Sequence, residues 1–345
     1  MNRAANIGLI PFSAIYGGFI RAGNALYRRG IFKSHLVGAP VISVGNLTTG
    51  GTGKTPLVEY IAGELATMGR TVCVLTRGYR RESSGRVLVS DGVEVLADVN
   101  QAGDEAFLLA EKLKGKAAVV CNADRVAGAQ WAIEKLTSDA FVLDDGFQHQ
   151  RIARDLDILA IDATSPWGNG RVLPAGILRE PRSALSRADC VLITRADDSH
   201  QVARLRKEIE ILQPGMLVFV SRMLLRGLRP LDESQSTPNV KHGQAAAFCA
   251  IGNPDSFFNL LRRNDYELNY TRSFRDHHKY TQGDVDDLTR DAQARGAQVL
   301  ITTVKDAVKL RPLRFAIPCY VAEIAIELDA PDQFRELLSQ AIHSH

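Results

Sequence analysis

The sequence lacks the cysteine pattern of a disulfide scaffold or a zinc site. Its cysteines are far apart, no C-x-x-C pair occurs, and no Cys/His cluster has zinc-binding spacing. Each cysteine lies in an apolar, strand-like run, and the five are Cys73, Cys121, Cys190, Cys249 and Cys319. We therefore expect reduced thiols in the core of a cytosolic protein.

The chain also has little excess charge. Its net charge is +3 over 345 residues, and no basic cluster is interleaved with aromatic residues. A nucleic-acid partner is therefore not expected, and no obligate protein partner is evident. A composition of 45% hydrophobic and 23% charged residues is typical of a globular protein. The length favours two domains.

The sequence has no long uninterrupted apolar run of the kind that spans a membrane. The nearest approach is an uncharged stretch close to the N-terminus. Residues Ala4 to Ile20 carry no charge, but these seventeen residues are interrupted by glycine and proline. They are marginal for a membrane span, and no small-residue cleavage site indicates a secretory signal. The first acidic residue of the chain is Glu59.

Segment 1–35 instead has the pattern of an interfacial helix. On a helical projection one face carries basic and polar side chains and the other carries small and apolar ones. The basic and polar face carries Arg21, Asn24 and Arg28. The small and apolar face carries Phe19, Gly23 and Leu26. A basic helix of this kind is attracted to anionic lipid at a membrane surface. The alternative is a helix packed on the protein's own core.

The stretch from Val41 to Gly69 predicts a phosphate-binding loop. An apolar strand leads into a glycine-rich loop, then Lys-Thr, then a helix with apolar residues at helical spacing. Backbone N–H groups of such a loop, with the helix dipole, bind phosphate oxygens. The expected nucleotide-binding residues are Thr48, Thr49, Gly50, Gly51, Thr52, Gly53, Lys54 and Thr55.

Within this loop, Lys54 is expected to reach the β- and γ-phosphates and the Thr55 hydroxyl to ligate magnesium. The usual G-x-x-x-x-G-K-[ST] pattern is broken because Thr48 occupies the first glycine position. The loop resembles variants that read K-G-G-x-G-K-[ST], with Thr49 at their extra lysine. The alternative is a glycine-rich turn with a solvated lysine.

Paired carboxylates follow a buried strand at Phe141 to Leu143. Asp144 and Asp145 at this strand end, downstream of a phosphate loop, match the Walker B arrangement that holds magnesium. A plain Asp-Asp-Gly turn is the alternative.

Elsewhere Asp104 opens a helix, where an acidic residue is commonly only a partner for the helix dipole.

Strands and helices alternate along most of the chain, which predicts parallel sheets. A stretch rich in proline, serine and charge interrupts this alternation. We expect α/β architecture, with a P-loop NTPase-like parallel-sheet domain and a second, smaller α/β domain. The expected boundaries are 36–225 for the P-loop domain, 226–244 for the connection and 245–345 for the second domain.

Seven motifs together carry a resemblance to a known family. They are GNLTTGGTGKTP, TRGYRR, GDE, NADR, LDDGFQH, GRVLPAGILREP and FRDHHKY, in that order. The chain resembles the tetraacyldisaccharide 4′-kinases, the lipid A 4′-kinases. This implies transfer of the ATP γ-phosphate to the 4′-hydroxyl of tetraacyldisaccharide 1-phosphate, forming lipid IV-A. It also implies that the protein acts at the cytoplasmic face of the inner membrane of Gram-negative bacteria. The basic N-terminal segment predicts that its attachment there is peripheral.

The resemblance also implies roles for particular residues. Asp104 and His277 form a dyad that accepts the proton of the alcohol, although which member holds the proton stays open. Arg77, Arg125 and Arg179 match family arginines and bind the lipid 1-phosphate or the nucleotide phosphates.

Two rival classes remain. The run VLITRAD ends at Asp197 and resembles the guanine-reading [NT]-K-x-D motif, which suggests a GTPase of the metal-insertion or targeting kind. Against it, Arg195 replaces the lysine and no His/Cys cluster accompanies it. The other class is a membrane-associated partition or scaffold ATPase, which leaves Asp104 and His277 without a role.

Overall fold

The computed structural model describes residues 8–79, 81–232, 244–276 and 278–343. It divides the chain into two compact units. The first unit comprises residues 1–222 and 328–345, and the second comprises residues 223–327. Helices and strands are numbered below in chain order.

The first unit is built on a mostly parallel sheet. Its strands are β1 (Val41–Gly45), β2 (Val72–Thr76), β3 (Val87–Ser90), β4 (Ala117–Cys121), β5 (Ala140–Asp144), β6 (Leu156–Asp162), β7 (Cys190–Thr194) and the beginning of β8 (Leu217–Pro230). Their order is β8–β7–β6–β1–β5–β2–β4–β3. Neighbouring strands are parallel except that β3 is antiparallel to β4.

Helices connect these strands. They are α1 (Ile10–Arg28), α2 (Lys54–Thr67), α3 (Val99–Ala102), α4 (Asp104–Lys112), α5 (Arg125–Leu136), α6 (Ser199–Leu212) and α10 (Pro331–His343). Strands β1, β5 and β6 are buried along their whole length. Continuous apolar runs of this kind suit a parallel sheet buried on both faces. The sheet therefore holds the loops at the carboxyl ends of β1, β5 and β6 in fixed positions.

The second unit repeats the α/β pattern on a smaller scale. Its parallel strands are β9 (Ala245–Cys249), β10 (Leu268–Ser273), β11 (Val299–Thr303) and β12 (Cys319–Leu328), in the order β10–β9–β11–β12. Its helices are α7 (Pro254–Arg263), α8 (Gln282–Gln293) and α9 (Val304–Leu310). The predicted fold class, a P-loop NTPase-like domain with a second α/β domain, is confirmed.

The predicted domain boundaries need correction at two places. Residues 226–230, expected to begin the connection, belong to strand β8; residues 233–243 lie outside the described residues. The last helix, α10, belongs to the first unit. There Arg335 pairs with Glu64 at 2.8 Å, and the Phe334 ring packs edge-on against Phe219. Such long-range contacts leave no local signal in the sequence.

Candidate functional site

The glycine-rich loop runs from the end of β1 to the start of α2. Gly50 and Gly53 have φ angles of +112° and +76°, which L-residues with a side chain rarely adopt. Gly53 is the residue before α2, and the helix begins at Lys54 with Thr55 second. The loop therefore leads directly into a helix N-terminus, which is the arrangement that binds anions.

Hydrogen bonds hold this loop in place from three sides. The Asn46 amide donates to the Thr48 carbonyl at 2.8 Å. The Thr49 N–H donates to the Ile177 carbonyl at 2.7 Å, and the Thr194 hydroxyl donates to the Thr52 carbonyl, also at 2.7 Å. These bonds connect the loop to β7 and to the 168–181 segment.

Lys54 lies at the centre of a cluster of opposite charges. Its ammonium donates to Asn46 Oδ1 at 3.0 Å and lies 3.3 Å from Asp145 Oδ1. Arg179 donates to the other Asp145 oxygen at 2.7 Å. Burial alone would raise the pKa of Asp145, but the two cations outweigh it and hold this pKa below its ordinary value. Asp145 is therefore ionised at neutral pH.

Asp144, the last residue of β5, is in a different environment. It is buried and accepts a hydrogen bond from the Thr76 hydroxyl at 2.9 Å. Its pKa is raised to about 6, first by burial and then by the carboxylates of Glu105 and Asp145. A buried carboxylate with two acidic neighbours has the chemistry of a cation ligand.

Of the predicted arginines, Arg125 brings positive charge to this carboxylate pair. Arg125 begins α5, is buried, and interacts electrostatically with Asp144, Asp145 and Arg77. Its guanidinium donates to the Asn122 carbonyl at 2.6 Å, while Nε is buried without a hydrogen-bond partner. Arg77, directly after β2, is exposed.

Asp104 is the first residue of α4. It follows Gly103, whose φ is +83° and whose Cα has no room for a Cβ, since one would lie 2.6 Å from the Tyr79 carbonyl. The next residue, Glu105, acts on the Asp144 pKa, and our reading of the sequence gave it no role. Its only signal was its place in the GDE motif.

His277, the other predicted dyad member, lies outside the described residues. Its neighbours belong to the second unit. Asp276 pairs with Lys305 at 3.4 Å. The His278 ring lies 3.1 Å from Asp284 and stacks on Phe274. These contacts occupy His278 with local structure.

A buried polar network beside the loop was not foreseen from the sequence. Glu180 is buried and is paired through both oxygens with Arg187, at 2.6 and 2.9 Å. It also accepts from Gln148 at 3.1 Å and from Asn24 of α1 at 2.9 Å. This network ties α1 to the 168–181 segment, whose Arg179 reaches Asp145.

Helix α1 carries its apolar side chains outward. Its buried residues are the small Ser13 and Gly17, and the Ser13 hydroxyl donates to the Val172 carbonyl at 2.9 Å. Phe12, Ile15 and Phe19 are 60%, 59% and 74% exposed. We call these three the outer apolar face of α1. Among the described residues, no helix is long and apolar enough to cross a membrane.

The central strand, the glycine loop and the Lys-Thr at a helix start define the class: a P-loop nucleotide-binding protein of α/β architecture. Comparisons with known proteins specify it further. A family model described as Tetraacyldisaccharide-1-P 4′-kinase matches residues 5–343.

The similar proteins agree with this match. The chain is 39% identical over 315 residues to the tetraacyldisaccharide 4′-kinase of Desulfotalea psychrophila, covering 90% of each chain. It is 40% identical over 337 residues to that of Geobacter metallireducens, covering 97% of each. The crystal structure of LpxK from Aquifex aeolicus in complex with ATP matches with a TM-score of 0.77 and 30% identity, over 98% of this chain and 99% of that one.

The chain therefore belongs to the tetraacyldisaccharide-1-P 4′-kinase family, the ATP-dependent kinases of lipid A biosynthesis. This membership favours the kinase over the GTPase and scaffold-ATPase alternatives.

Proposed function

We propose that the loop and the Lys54–Asp145–Arg179 cluster hold the triphosphate of ATP for transfer to the 4′-hydroxyl of the lipid disaccharide. The observation that carries this is the Lys54 ammonium, held at 3.0 Å by Asn46 and at 3.3 Å by Asp145 at the mouth of the loop. Phosphoryl transfer needs positioning and charge neutralisation more than covalent chemistry. A cation fixed beside the phosphate site supplies both.

We further propose that Thr55, Asp144 and Asp145 bind Mg²⁺. Asp145 Oδ1 is buried and has an ion-pair partner but no hydrogen-bond donor, so it can accept a hard cation. Among the described residues no three His, Cys, Asp or Glu side chains form a complete metal site. Magnesium keeps waters and takes substrate phosphates as ligands, so two carboxylates and a hydroxyl are a sufficient protein contribution. The bound ion would neutralise charge on the transferring phosphoryl group.

Asp104 and His277 are proposed to accept the proton of the 4′-hydroxyl. An aspartate at a helix N-terminus is ordinarily a weak base because the dipole stabilises its ionised form. A histidine partner would make a better proton acceptor. Arg77 and Arg125 are proposed to bind phosphate groups of the lipid or the nucleotide, and the buried, unpartnered Nε of Arg125 supports this.

The outer apolar face of α1 supports peripheral attachment to the cytoplasmic face of the inner membrane. Exposed Arg21, Arg28 and Lys33 follow in the same segment. Exposed aromatic and aliphatic side chains beside basic ones suit the interface of an anionic bilayer. The acyl chains of the substrate would keep its headgroup at that surface.

Magnesium titration tests the metal assignment. Asp144→Asn and Asp145→Asn keep the side-chain shape but remove the charge, so each should raise the magnesium needed for half-maximal lipid phosphorylation about 10- to 100-fold. Asp332→Asn, whose side chain is 96% exposed on α10, is the matched control and should behave as the wild type. Full activity of both test variants at limiting magnesium would make the assignment wrong.

A further inference from the structure

Strand β7 ends against the phosphate loop. The hydroxyl of its last residue, Thr194, donates to the Thr52 carbonyl at 2.7 Å. The next residue, Arg195, has a φ of +51°, a left-handed conformation that is uncommon for a residue with a side chain. The chain thus turns sharply at the loop, at the motif that resembles a guanine-reading element.

The Arg195 side chain is held in one orientation. Its Nη1 pairs with Asp162 Oδ2 at the end of β6, and the side chains are only 11% and 9% exposed. The other Asp162 oxygen accepts from the Thr164 N–H at 2.9 Å and from the Thr164 hydroxyl at 2.7 Å. Asp162, which is itself held by Thr164, therefore anchors one end of the guanidinium.

This guanidinium lies beside the loop itself. A Cβ built on Gly51 would be 3.9 Å from Arg195 Nη2. Strand β1 has β5 on one side and β6, then β7, on the other. Asp144 and Asp145 therefore flank the loop on the β5 side, and Arg195 flanks it on the opposite side. If the γ-phosphate meets Lys54 and Asp145, the side of the loop that carries Arg195 is the side left for the ribose and base.

We propose that Arg195, held by Asp162, supports the purine and ribose end of ATP. The inference rests on the proposed placement of the phosphates at Lys54. Arg195 has Asp162 as its own counter-charge, whereas Lys54 and Arg179 share the single carboxylate of Asp145, so less positive charge is left for a phosphate at Arg195. The flat face of a guanidinium stacks well on an aromatic ring. A lysine side chain has no such face, so we expect the arginine at position 195 to matter for recognition of the purine base.

The experiment compares ATP with inorganic tripolyphosphate, which has the phosphates but no base. Dissociation constants are measured for both ligands with wild type, Arg195→Ala, Arg195→Lys and Asp162→Asn. Arg204→Ala, at an 83% exposed arginine on α6, is the control. We expect Arg195→Ala to weaken ATP binding about tenfold and tripolyphosphate binding less than twofold. Arg195→Lys, which keeps the ion pair, should weaken ATP binding severalfold without unfolding the loop.

Two outcomes would overturn the inference. Equal weakening of ATP and tripolyphosphate would mean that Arg195 only shapes the phosphate loop. Unchanged ATP binding in Arg195→Lys and Arg195→Ala would mean that it does not meet the base. A Lys54→Ala arm separates the two proposals: if it leaves tripolyphosphate binding intact, the phosphate placement fails, whatever the Arg195 variants do.

Discussion

At the scale of single residues, the site contains two adjacent carboxylates, Asp144 and Asp145, that have different surroundings and therefore different pKa values. Asp145 faces two cations and is held ionised, whereas adjacent Asp144 is buried beside other carboxylates and has its pKa raised to about 6. One strand end thus presents two carboxylates with different proton affinities. Such separation is typical of functional sites.

The proposed proton-accepting dyad can be tested by a double-mutant cycle. Asp104→Ala and His277→Ala should each lower kcat for lipid phosphorylation strongly, and the double variant should cost little more than the worse single variant. Groups that act as a unit are non-additive. Losses that multiply fully in the double variant would assign the two residues separate roles. Binding of ATP, measured separately, should stay near the wild-type value in all three.

A second prediction concerns stability and pH. Asp157 of β6 is buried, and burial is the main reason that its pKa is raised to about 6, although Arg154 lies 3.3 Å away. Because the folded pKa lies above the unfolded value, the stabilising contribution is complete below about pH 4 and is lost as pH rises through about 6. The loss by pH 7 should be about 3 kcal/mol.

Asp157→Asn removes this titration. The free energy of unfolding of the variant relative to wild type should therefore rise between pH 4 and pH 7, as measured by urea denaturation across that range. Asp332→Asn is the control and should follow the wild type. Parallel pH profiles for wild type and Asp157→Asn would contradict the raised pKa.

Residue identities in the loop could be predicted because the P-loop is a local pattern. Lys54 was assigned from the loop and Asp145 from the carboxylate pair after β5, and the structure places these two side chains 3.3 Å apart. Glu105 and Glu180 could not be assigned, because their contacts depend on distant parts of the chain. Glu180, for instance, meets Asn24 across 156 positions of sequence.

At the scale of elements, α1 shows how a helical pattern can mislead. The sequence grouped Asn24 with Arg21 and Arg28 on one polar face, but their environments differ: Asn24 donates to buried Glu180, whereas Arg21 and Arg28 are exposed. Ser13 and Gly17 form the inner side instead. Small residues allow close approach to the Val172 segment, and a projection based on hydrophobicity does not weigh this.

The outer face of α1 gives the third prediction. Phe12→Ser, Ile15→Ser and Phe19→Ser together should weaken co-sedimentation with anionic vesicles at least about tenfold, because three apolar side chains can no longer be buried in lipid. The KM for lipid should rise while ATP binding is unchanged. Deleting residues 1–29 is a less specific test, since it also removes the Ser13 and Asn24 contacts with the 168–181 segment.

The matched control for this test is Ile211→Ser, at an isoleucine of α6 that is 81% exposed. It should sediment with vesicles as the wild type does. The membrane proposal would be overturned if the triple variant sedimented equally well.

At the scale of the whole molecule, the alternation of strands and helices was enough to predict two α/β units. It was not enough to place α10, which follows the second unit in sequence but packs in the first. Its amphipathic pattern shows that a face must be buried, not which sheet buries it. The end of strand β8, residues 226–230, was predicted to be part of the connection because this stretch is rich in charge and proline. Its composition did not show that it pairs in a sheet.

The most direct measurement is transfer of label from [γ-³²P]ATP to tetraacyldisaccharide 1-phosphate in detergent micelles with Mg²⁺. The account predicts a lipid labelled at the 4′ position, weaker transfer from GTP, and a loss of at least about 100-fold in Lys54→Ala, which removes the cation nearest the γ-phosphate. Release of inorganic phosphate without labelled lipid, a tenfold preference for GTP, or near-normal transfer by Lys54→Ala would contradict it.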